Sequence, residues 1–116
     1  MEKKLGTVRI SPHVLATIAR LATLSVPGVV RMSRDVSGVE RWFKGRGDAS
    51  GVRIEIIDDA VSVDLYVVAA PDVNLYELGR TVQNQVARAI KDMVGMPVLA
   101  VNVHIEDIAS VPDNSG

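Results

Sequence analysis

Hydrophobic and polar positions along the chain repeat with a period of either two or about 3.6 residues, and the switches between these periods divide it into elements. In residues 5–10, LGTVRI, Val8 and Ile10 share one face and Thr7 and Arg9 the other, which predicts a short strand. Ser11 followed by Pro12 predicts a helix start. A Ser oxygen there accepts from the free amides of the first turn, and Pro at the first helical position leaves no amide unpaired. Val14, Leu15, Ile18, Leu21 and Ala22 then recur at helical spacing until Pro27 and Gly28 end the pattern. GVVRMS, beginning at Gly28, predicts a second short strand.

Both periods are lost in residues 34–50, where glycines recur and charge is dense. This stretch reads as a long loop with at most one helical turn, around Val39 to Phe43; loops of such length inside a domain are usually functional or disordered. Alternation then returns twice. Val52, Ile54 and Ile56 oppose Arg53 and Glu55, and Val61, Val63, Leu65 and Val67 oppose Ser62, Asp64 and Tyr66. Asp58 and Asp59 between the two runs suit a tight reversal, so the pair predicts a hairpin. Asn74 and Glu77 have the spacing of a helix cap. Beyond them Leu75, Leu78, Val82, Val86, Ala89, Ile90 and Met93 trace one apolar stripe, and Gly95 stands where a left-handed residue ends a helix. The opposite flank, Arg80, Gln83, Asn84 and Arg88, reads as a solvated face. Leu99, Val101, Val103 and Ile105 alternate with Asn102, His104 and Glu106 as a last strand.

The predicted order is β-α-β-β-β-α-β. It implies an α+β, two-layer domain with a mostly antiparallel sheet and two helices packed on one face. Residues 1–110 would form a single domain, and residues 111–116 a flexible C-terminal tail. The sheet face turned away from the helices would carry Arg53, Glu55, Asp64, Tyr66, Asn102 and His104.

Composition narrows the function. At 116 residues the chain suits one domain, and with 47% hydrophobic residues it has the means to bury a core. Aromatic residues make up only 3%, which weighs against nucleic-acid binders that stack bases on aromatic rings. With no cysteine, thiol nucleophiles and thiolate metal sites are excluded, and a reducing, cytoplasmic setting fits. No run approaches the roughly 18 apolar residues of a membrane span, so direct membrane insertion is not expected. Net charge is −1, yet residues 1–53 hold ten Lys and Arg against four Asp and Glu, while residues 54–116 hold three against ten. Either folding mixes the halves and cancels the field, or the asymmetry supports head-to-tail self-association or a basic patch facing an acidic surface.

Reactive constellations are hard to find. His13 and His104 have no companion at metal-ligand spacing, so no metal ligand is assigned. The glycines of GRGDASG precede a strand rather than a helix, so they make no phosphate cradle, and no cofactor is expected. Asp58-Asp59 and Glu106-Asp107 are adjacent pairs, which on a strand point to opposite faces, and no Ser sits in a nucleophile motif. No catalytic residue emerges, and the chain reads as a non-enzyme.

Two features fit partner binding. Arg41, Trp42, Phe43, Lys44 and Arg46 gather cations around two of the few aromatic residues, the composition of a protein-docking anchor. An alternative for the same loop is a nucleic-acid contact to phosphates and bases, although the clamp and strand motifs of small RNA-binding folds are missing. The second feature is the open sheet face around Tyr66 and His104.

Three stretches, LGTVRISPHVLATIARLATLSVPGVVRM, VRIEIIDDAVSVDLYVV and VQNQVARAIKDMVGMPVLAVNVHIEDI, follow in order the pattern of the bacterial alkaline shock protein family, also called envelope stress response proteins. The chain resembles that family over about residues 5–108, most closely at Gly6-x-Val8-x-Ile10-Ser11, Pro27-Gly28-Val29, Val63-Asp64-Leu65-Tyr66 and Val82-Gln83 through Val103. The resemblance implies a non-enzymatic cytoplasmic protein that acts by protein–protein interaction or as a homo-oligomer. It further implies membrane association through a separate integral-membrane anchor protein.

Overall fold

A computed structural model describes residues 5–33 and 51–110 of the chain. Ser11 opens α1 (Pro12–Leu24), its hydroxyl oxygen accepting from the Val14 amide at 3.3 Å. The buried face of α1 is Leu15, Ala16, Ile18, Ala19 and Thr23, while Val14 and Leu21 of the expected stripe are exposed. Small residues explain the rotation: Ala16 and Ala19 allow close approach to the neighbouring layer, where larger side chains would hold the helix off. The buried Thr23 hydroxyl donates to the Ala19 carbonyl at 2.7 Å, so it is not left unsatisfied.

Four strands follow the expected order after α1: β1 (Val29–Met32), β2 (Val52–Ile57), β3 (Ala60–Ala69) and β4 (Val98–Ile108). The β2–β3 hairpin turns at Asp58 and Asp59 with φ of 50° and 64°, left-handed at both central positions. That is the twist-matched two-residue reversal, in which Asp is among the side chains that tolerate positive φ. Both β1 and β2 pair antiparallel with β3, and β4 pairs with it in parallel along nearly its whole length. Since β4 fills one edge of β3, β2 and β1 share the other edge end to end.

Between β3 and β4 the chain crosses over through α2 (Leu75–Val94). Asn74 accepts from the Glu77 amide at 2.9 Å, and Gly95 closes the helix at φ 79°. Leu78, Val82, Val86 and Ile90 are buried as expected, but Met93 is 69% exposed. Val94, four residues past Ile90 rather than three, turns toward the core instead. One aliphatic core joins the two layers, with Val61, Val63, Leu65 and Val67 of β3 at its centre.

The strand expected over residues 5–10 does not form. These residues pair with no strand of the sheet, Leu5 and Val8 are 92% and 93% exposed, and Gly6 has φ +99°, outside the strand region. Alternation specifies which side chains share a face; it does not supply an edge to pair with.

Candidate functional site

Across the open face, the parallel register of β3 and β4 sets Asp64 opposite Asn102 and Tyr66 opposite His104. The Tyr66 and His104 rings stack, with centroids 4.5 Å apart and planes 11° from parallel. The side chain of His104 is 42% exposed and that of Asp64 24%, and His104 Nε2 lies 3.1 Å from Asp64 Oδ1. Asn102 Nδ2 donates to the same oxygen at 3.3 Å. On its other side Asp64 stands opposite Arg53 of β2. The result is a two-by-two block of polar and aromatic side chains on a solvent-facing surface, with Asp64 as its acceptor. Stacked rings at a sheet surface provide flat contact area with little side-chain entropy to lose on docking.

Tyr66 also organises the backbone. Its carbonyl accepts from Ser33 N–H at 2.7 Å, and its amide donates to the Gly51 carbonyl at 2.8 Å. Ser33 and Gly51 are the residues flanking 34–50, so both ends of that stretch are anchored at one residue of the open face. Gly51 is required at its place: φ is +74°, and an added Cβ would lie 2.7 Å from Met32 Cβ and 2.9 Å from the Tyr66 carbonyl oxygen. Arg41, Trp42, Phe43, Lys44 and Arg46 themselves lie outside the described residues.

A second feature was not visible in the sequence. Between α2 and β4 runs an apolar groove of about 380 Å³, lined by Leu75, Tyr76, Gly79, Val103 and Ile105 together with the stems of Arg80 and Gln83. Gly79 opens it, since a Cβ there would meet nothing within 4 Å. A glycine inside a long amphipathic helix was the one available signal. The α2 flank read as solvated is only partly so: Gln83 is half-buried and donates to the Val101 carbonyl at 3.0 Å, and Arg80 donates to the Tyr76 hydroxyl at 2.9 Å.

Among the described residues no group of three or more His, Cys, Asp and Glu side chains is placed to hold a metal ion, and no helix is long and apolar enough to cross a membrane. The class is therefore a small two-layer α+β domain with an open, polar sheet face. The chain belongs to the alkaline shock protein 23 family, described by its cell envelope-related function, and matches it over residues 1–110. This agrees with the resemblance carried by its sequence motifs.

Its relatives include the uncharacterized protein YqhY of Bacillus subtilis strain 168, 30% identical over 105 residues that cover 90% of this chain and 78% of that protein. Another is the uncharacterized protein Spy1535 of Streptococcus pyogenes serotype M6, 31% identical over 107 residues that cover 91% and 81%. Among solved structures, a doubly substituted MamM CTD is similar in fold, with a TM-score of 0.50 and 11% identity over 84% of this chain and 93% of that one.

Proposed function

We propose that this chain serves the envelope-related role of its family as a non-catalytic docking protein of the envelope stress response. It binds a protein partner through the β3–β4 face around Tyr66 and His104, together with Arg41, Trp42, Phe43, Lys44 and Arg46. The partner is an integral-membrane anchor or a second copy of the chain, and the protein acts on the cytoplasmic side of the membrane without inserting into it. One observation carries this reading: Ser33 and Gly51 both hydrogen-bond the backbone of Tyr66, so residues 34–50 leave and rejoin the fold beside the Tyr66–His104 stack. On this reading the two features act together in binding the partner. Aromatic residues flanked by arginine are the composition from which interface anchors are drawn.

The test is affinity capture of the full chain from its native cells after cross-linking, comparing wild type with Trp42→Ala and with Tyr66→Ala. Both variants are expected to lose the same partner, with affinity about tenfold weaker or worse for an anchor residue. Undiminished recovery by both, with unchanged circular dichroism, overturns the reading.

A further inference from the structure

Residues 5–10 have strand alternation and no sheet. Among the described residues their backbone makes no hydrogen bond, and Leu5 and Val8 lie almost wholly in water. Exposing such side chains forgoes the favourable free energy of burying them. At the far side of the molecule the situation is reversed. β4 is eleven residues long and, among the described elements, pairs only with β3, so its outer edge has no strand beside it. An edge of that length is a template for strand addition unless something covers it. The groove of Leu75, Gly79, Val103 and Ile105 lies between β4 and α2 and has room for apolar side chains.

The same chain cannot easily join these two parts. Residues 5–10 lead directly into α1, which packs on β1, β2 and α2, whereas β4 lies under α2. Six extended residues reach roughly 20 Å, and crossing a helix about 10 Å wide uses up much of that before any pairing begins. Charge favours a second copy. Arg9 lies in the unpaired segment and Lys3 and Lys4 precede it in the sequence, while Glu106 and Asp107 lie toward the end of β4.

We propose that residues 5–10 of one copy add as a fifth strand to the outer edge of β4 of a second copy, seating apolar side chains toward the α2–β4 groove. This deepens the self-association part of the proposed function, and it uses the outer edge of β4 and the α2–β4 groove rather than the Tyr66–His104 ring stack. Reciprocal exchange closes a dimer; one-way exchange builds an open chain.

The chain has no cysteine, so disulfide trapping is free of background. Val8→Cys copies mixed with Ile105→Cys or Val103→Cys copies and oxidised are expected to give the mixed dimer as the main product. Val8→Cys mixed with Ile56→Cys on β2 is expected to give little. Sedimentation of the full chain should show assembly, which Val8→Asp and deletion of residues 1–10 both abolish while circular dichroism is retained. Preferential trapping to β2 overturns the proposal, as does a rapid intramolecular disulfide in a dilute Val8→Cys, Ile105→Cys double variant. Assembly that survives both changes also overturns it, yet leaves docking through the Tyr66 face standing. A full chain that stays monomeric at high concentration removes strand exchange alone, because capture of a different partner by the Tyr66 face is measured separately.

Discussion

At Gly51 a single hydrogen in place of a methyl group lets three segments meet. Its left-handed backbone and its contacts with Met32 and Tyr66 leave no room for a side chain. Gly51→Ala is expected to cost about 1–3 kcal/mol in urea unfolding, from strain and displaced neighbours. The Asp64–His104 contact should behave differently. It is solvent-facing, and exposed ion pairs contribute little to stability, so a double-mutant cycle with Asp64→Ala and His104→Ala should give a coupling below about 1 kcal/mol. Tyr66 and His104 were legible as outward residues because alternation alone determines the face of a strand. That Asp64 accepts from Asn102 and contacts His104 was not, because it depends on a parallel register set by the length of α2 and its loops.

At the scale of elements, α2 shows how far helical periodicity reaches. Its cap, end and central stripe were readable from residues a few positions apart. Its last turn was not, because Met93 and Val94 both lie near the stripe and only the layer below selects between them. Ile90→Ala is expected to cost about 2–5 kcal/mol, since it empties a fully buried site. Met93→Ala should stay within about 0.5 kcal/mol. Asn74→Ala, which removes the acceptor for Glu77 N–H, should cost about 1 kcal/mol. Thermal and denaturant unfolding of the three variants would check all of these values. In α1 the expected Leu21 is exposed, and Ala19, outside the expected stripe, is buried.

For the whole molecule, aromatic residues make up only 3% of the chain, too few for base-stacking platforms. Mixed single- and double-stranded oligonucleotides at low salt are therefore expected to leave the protein's mobility unchanged. A shift that weakens steeply with added salt would instead favour the nucleic-acid alternative for residues 41–46.

From the sequence alone came the helix caps at Ser11 and Asn74, the reversal at Asp58 and Asp59, the helical and strand periods, the two-layer class and the family. Each of these depends on residues close together in the chain, where sterics and local hydrogen bonds leave few choices. Only the tertiary structure decided that residues 5–10 stay outside the sheet, that Val14, Leu21 and Met93 face solvent, and that Ser33 and Gly51 both hydrogen-bond the Tyr66 backbone. These outcomes turn on which edge or layer is adjacent in space, and adjacency is set by packing among distant residues that no local pattern encodes.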